Sequence, residues 1–118
     1  AEAIPADDYS WRPSEGVRSV SEAFMHVASA SYFFGSRLGG PQPPADMREW
    51  EKTVTDKAGV IAKLKEAFGA STTAISGADV SQGDAGNTAL MLVSHAHEHL
   101  GQLIAYARSN KVVPPWSQ

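Results

Sequence analysis

"GGPQPPADMREWEKT", residues 39–53, separates two stretches of helical apolar periodicity, and its length decides how they are joined. Gly39, Gly40 and Pro41 stop a helix arriving from the N-terminal side, because glycine takes the left-handed turn that ends a helix and proline cannot continue one. A linker of this length, extended at up to roughly 3.3 Å per residue, can run back along the whole of a roughly 30 Å helix. The segment therefore reads as a crossover, and the helix after it is expected to lie parallel to the one before. A single helical turn is expected within it, around Asp46 to Trp50.

Working back toward the N-terminus, Val17, Val20, Phe24, Val27, Phe34 and Leu38 recur at spacings of three and four, with Ser31 filling the gap, which predicts a helix over about 17–38. Ser19 or Ser21 caps its start with Glu22 close behind. Residues 1–16, with Pro5, Pro13 and Gly16 and the isolated rings of Tyr9 and Trp11, read as an irregular arm.

Beyond the crossover, Val60, Ile61, Leu64, Phe68 and Ile75 predict a second helix over about 54–76, with Thr53 or Thr55 as cap and Asp56 in its first turn. Gly69 does not stop it, because Ser71 and Ile75 continue the phase and Gly77 is the better terminator. Residues 77–87 form a polar loop in which Asn87 can cap a third helix, over about 87–110, ended by the Pro114–Pro115 pair. Three long helices with no strand pattern make an all-α bundle. Three helices leave wide apolar stripes uncovered, so either a helix upstream is missing or a second copy packs on as a homodimer.

Composition narrows the function. The 118 residues, 42% hydrophobic and 19% charged, read as a single domain over 1–118. A net charge of −3, with ten Lys and Arg scattered among thirteen carboxylates, supplies no basic stripe for nucleic acid. No apolar run approaches the roughly 20 residues that cross a bilayer, so no membrane partner is expected and the expected compartment is cytoplasmic. The chain starts at Ala1 with no initiator Met, which reads as a processed or trimmed form. With no cysteine there is neither a thiolate nucleophile nor a Cys-based metal site.

Three of the four histidines fall within residues 94–102, "SHAHEHLGQ". At about 100° per residue, His95 and His99 share a face one turn apart, while His97 points elsewhere. Leu92, Ala96, Leu100, Leu103 and Ala107 form the core stripe, and His95, His99, Gln102 and Tyr106 a polar stripe along its flank. Two imidazoles at i and i+4 can converge on one cation. The third ligand has one histidine left to come from, His26 in the first long helix, one turn from Glu22. Bundle cores build metal sites from facing helices in this way. Taken singly, each residue also fits a plainer role: His26 a hydrogen-bonded boundary residue, Gln102 and Tyr106 the same, and Glu22 a first-turn acid favoured by the helix dipole.

The runs "IPADDYSWRPSEGVRSVSEAFMHV", residues 4–27, and "HAHEHLGQLIAYARSNKVVPPW", residues 95–116, together resemble the DinB-like family of metal-binding bundles. That resemblance implies a four-helix bundle of up-down-down-up topology with a crossover between its second and third helices, the place taken here by residues 39–53. It implies that the family's first helix is missing upstream of the arm. It also implies a divalent ion, nickel or zinc foremost with iron or others open, held by His26, His95 and His99, with Glu22, Gln102 and Tyr106 as candidate supporting residues. Some relatives are S-transferases or isomerases that use a low-molecular-weight thiol. The leading expectation is therefore a metal-dependent transferase acting on a small-molecule substrate through an open coordination position. The alternatives are a non-catalytic bundle with a structural metal, for which Glu22 or Glu98 would be the fourth ligand, and a metal-dependent hydrolase with Glu22 as its base.

Overall fold

The computed structural model describes residues 1–117. Its main elements are α1 (Val20–Arg37), the short α2 (Trp50–Thr53), α3 (Lys57–Gly77) and α4 (Ala85–Ser109). Single 3₁₀ turns lie at Ala6–Ser10, Met47–Glu49 and Pro115–Ser117, and there is no strand among the described residues.

Local chemistry sets the ends of these helices. At the start of α1 the Ser19 hydroxyl accepts from the Glu22 amide while the Glu22 carboxylate accepts from the Ser19 amide, a reciprocal pair that satisfies two otherwise unpartnered donors. Val17 lies outside the helix, in the arm. At the far end Gly39, at φ +86°, takes the left-handed turn, and the Gly40 and Gly39 amides bond back to the Gly35 and Ser36 carbonyls. Asp56, rather than Thr53 or Thr55, caps α3 by accepting from the Gly59 amide. α3 runs through Gly69 to Gly77. α4 begins at Ala85, which puts Asn87 inside the helix rather than at its cap.

Long-range contacts fix the directions. Tyr32 bonds Glu66, Gly35 abuts Ser71 and Gly40 abuts Ala74, so α3 runs parallel to α1. Against α4 the order reverses: the Arg18 carbonyl meets Tyr106, His26 meets His95 and Leu38 clusters with Leu92. α4 is therefore antiparallel to both, and residues 39–53 are the crossover that the parallel pair requires. The gap at Ser31 in the apolar phase of α1 is filled by a buried hydroxyl bonded to the Val27 carbonyl. Where Gly35 meets Ser71, a Cβ on the glycine would lie 3.2 Å from the Ser71 Cα. Small residues there let the two backbones approach.

The core lies where α1 meets both long neighbours, around Val20, Phe24, Met25, Val27, Val60, Leu64, Leu103 and Tyr106. The arm closes one end: Tyr9 stacks on Phe24 and Trp11 packs edge-on to Tyr106 at 5.3 Å. Trp50, fully buried and edge-on to Tyr32, pins α2 under α1. α3 and α4 flank α1 but scarcely touch each other. Between them lie two cavities of about 460 and 420 Å³, lined by Leu64 and Phe68 of α3 and by Ala96, Leu100 and Leu103 of α4 among others. This groove is where the apolar stripe stays uncovered. Among the described residues no helix is long and apolar enough to cross a membrane.

Candidate metal centre

α1 and α4 cross so that the half-buried rings of His26, His95 and His99 face one another. Ring centroids are 5.0 Å apart for His26 and His95, 4.8 Å for His26 and His99, and 4.4 Å for His95 and His99. One nitrogen from each ring can be chosen so that all lie within 4.8 Å of one another. The i, i+4 spacing on α4 stacks two of the rings one turn apart, and the antiparallel α1 brings His26 opposite them.

The outer nitrogens are tied down. His26 Nδ1 lies 3.2 Å from a carboxylate oxygen of Glu51, to which it donates. His99 Nδ1 donates to the Gln102 side-chain oxygen at 2.7 Å, Gln102 donates to the Tyr106 hydroxyl at 2.9 Å, and that hydroxyl donates to the Arg18 carbonyl at 3.1 Å. A neutral imidazole with its proton on Nδ1 has a bare lone pair on Nε2. The Nε2 atoms of His26 and His99 are therefore acceptors. His26 Nε2 lies 3.1 Å from His95 Nε2, so His95 is the donor across that pair.

The electrostatics favour the neutral form of His26 and His95. Burial, followed by the nearby Arg18 guanidinium, holds His26 below the ordinary imidazole range, and Glu51 only partly opposes this. Burial, then His99 and His26 themselves, lowers His95. Neutral imidazole is the ligating form.

The donor set fits a divalent cation. Imidazole nitrogens sit about 2.0–2.1 Å from zinc, which places neighbouring ligand atoms roughly 3.4 Å apart around a tetrahedral ion. The 3.1 Å His26–His95 separation is already at that scale. Among the described residues no carboxylate joins the three imidazoles. Three imidazoles so placed are a donor set that could hold a metal ion.

Of the residues the sequence singles out, Gln102 and Tyr106 form the hydrogen-bonded chain behind His99. Glu22 is committed elsewhere. Its carboxylate takes the Ser19 amide and pairs with Arg12 at 2.9 Å. Burial opposes its ionisation, but the Ser19 amide and Arg12 outweigh it and hold the carboxyl below its ordinary range. Glu98 is exposed. His97 is exposed, bonds its own helix at the Val93 carbonyl and lines the α3–α4 groove, away from the other rings. The carboxylate beside His26 is Glu51, which the sequence reading missed. Its signal was the tryptophan before it: a lone Trp50 in a polar crossover buries its ring and so fixes the direction of its neighbour.

The DinB superfamily family model matches residues 1–103. The chain thus belongs to the DinB superfamily, with which its all-helical fold is consistent. No curated protein and no solved structure matches it.

Proposed function

We propose that this DinB-family chain binds one divalent cation through His26, His95 and His99 and is a metal-dependent transferase that uses a low-molecular-weight thiol. The observation that carries the metal reading is the pair of Nδ1–H bonds, to Glu51 and to Gln102, which leave Nε2 of His26 and of His99 as unprotonated acceptors in a cluster where one nitrogen from each of the three rings lies within 4.8 Å of the others. When bound, a divalent cation with an open position acts as a Lewis acid that activates water or a thiol for attack. Nickel and zinc are the favoured ions, since imidazole suits both.

The chain's own part is to hold and to exclude. Three neutral imidazoles supply the ligands, and the Phe34 ring, 6.1 Å from that of His95, shields one side of the cluster. With no cysteine in the chain, the sulfur nucleophile must come from a small thiol rather than from the protein. This part of the reading draws on the family resemblance. The lack of a fourth His or carboxylate ligand among the described residues favours it over a structural clamp, and the engagement of Glu22 with Arg12 and Ser19 leaves a hydrolase without its expected base.

Elemental analysis of the purified protein beside His99→Ala tests the metal reading. Wild type is expected to carry close to one ion per chain and the variant only a trace. Equal trace metal in both proteins would refute it. The transferase reading is tested by incubating metal-loaded protein with small thiols and an electrophile, and an absence of turnover with every pair would reject it.

A further inference from the structure

Two hydrogen-bond chains leave the histidine cluster on different helices, and both end on one residue. From His26 the path runs through Glu51 to the Arg18 side chain: Arg18 Nε donates to one Glu51 oxygen at 2.7 Å and Arg18 Nη2 to the other at 3.3 Å. From His99 it runs through Gln102 and Tyr106 to the Arg18 main-chain carbonyl. Glu51 comes from α2 in the crossover and Tyr106 from the C-terminal half of α4, so Arg18 joins three parts of the chain just ahead of α1.

We infer that Arg18 is the common anchor that sets the tautomer and orientation of both His26 and His99, with Glu51 and Tyr106 as positioning residues. The inference rests on the proposed metal reading for its purpose, but its geometry stands apart from any ion. Histidine in water favours the proton on Nε2, which would block the lone pair aimed at the centre. An acceptor held at Nδ1 reverses that preference and stiffens the ring. Both acceptors need fixing themselves. The two-pronged guanidinium holds the Glu51 carboxylate in one plane. Gln102, whose oxygen must face His99, is kept from flipping because its amide nitrogen is spent on Tyr106.

Arg18 is itself held by the arm. Arg12 donates to the Val17 carbonyl at 2.8 Å, the Val20 amide donates to the Trp11 carbonyl, and the Trp11 ring packs on Tyr106. The arm, through Arg12 and Trp11, thus fixes the segment from which both chains hang. His95 has no such chain, and its ring is placed by its helix and by its two partners.

The test uses the whole protein and two readouts. Long-range ¹⁵N–¹H NMR of the ion-free protein assigns each histidine tautomer. Glu51→Ala and Arg18→Gln should each move His26 toward the Nε2–H form and leave His99 unchanged, because Gln still supplies the main-chain carbonyl. Tyr106→Phe should move His99 and leave His26. In zinc titrations Glu51→Ala and Tyr106→Phe should each weaken binding about 10- to 100-fold. Their effects should multiply, while those of Glu51→Ala and Arg18→Gln should not, since the latter two break the same chain. Glu51→Gln, which keeps an acceptor oxygen, should restore part of the loss. Thermal melting of the ion-free variants separates positioning from misfolding. Tautomers that do not move in Glu51→Ala and Tyr106→Phe would overturn the inference, as would tautomer shifts with unchanged zinc affinity. A wild type that shows both Nδ1–H tautomers yet takes up no cation would instead overturn the metal reading and leave the anchoring role intact.

Discussion

The two faces of α4 differ by one residue in register and by everything in chemistry. His95, His99, Gln102 and Tyr106 lie along the seam with α1, and their polar atoms are spent on one another, on His26 and on the segment before α1. Ala96, Leu100, Leu103 and Ala107, each one position on, face the groove toward α3, and of these Leu100 is 45% exposed. A step of one residue is a turn of about 100°, enough to move from a satisfied polar seam to an open apolar trough. The seam is specified by directional bonds and so defines a site. The groove is specified only by area, and area alone does not choose what fills it.

The contrast can be broken by substitution. The largest effect is expected from His99→Ala, which removes a proposed ligand from the seam: stoichiometric metal binding, read by titration with zinc or nickel, should be lost, while the melting point of the ion-free protein changes little. Gly35→Ala attacks the α1–α3 contact instead. Its new Cβ would sit 3.2 Å from the Ser71 Cα, tighter than ordinary van der Waals contact, so the Ser71 backbone must give by a few tenths of an ångström. Mild overpacking of this kind is expected to cost about 1 kcal/mol, a melting point lower by about 4 °C in a domain of this size, with metal affinity within a few-fold of wild type.

A graded effect is expected with pH. Burial, the largest cause, lowers the His26 and His95 pKa values below those of the unfolded chain, about 6.5. Above that value both states are neutral and nothing is lost. As pH falls through it toward the lower folded values, the unfolded chain takes up protons that the native rings refuse, so stability declines. The ion-free melting point should therefore drop between pH 7.5 and 5.5, and His26→Gln should flatten the drop. Metal affinity should fall over the same window, because protons compete for the ligating nitrogens. The smallest effect belongs to the groove. Phe68→Ser and Leu100→Ser, both at partly exposed positions, should shift stability by less than about 1 kcal/mol. They should reduce the fluorescence of a dye that binds exposed apolar surface and leave metal uptake unchanged.

Much of this was legible in the sequence because it depends on local rules. Apolar spacing marked the three long helices, the phase through Ser71 carried α3 past Gly69, and the length of residues 39–53 gave the parallel pair. The i, i+4 geometry of His95 and His99 needs only a helix. What failed depended on competition between acceptable choices. Asp56 outcompeted Thr53 and Thr55 at the cap of α3, and Glu22 is claimed by Ser19 and Arg12 although it lies one turn from His26. Glu51 lies 25 residues from the histidine it supports, in a segment with weak regular structure. Its place depends on burial of Trp50, a tertiary event that no local pattern records.

The most direct measurement is X-ray absorption at the metal edge of protein loaded with zinc or nickel. Three imidazole rings scattering around the ion, with the remaining positions taken by light, exchangeable ligands, is the result the account predicts. Coordination by fewer than two imidazoles, or a shell filled by protein carboxylates, would contradict it.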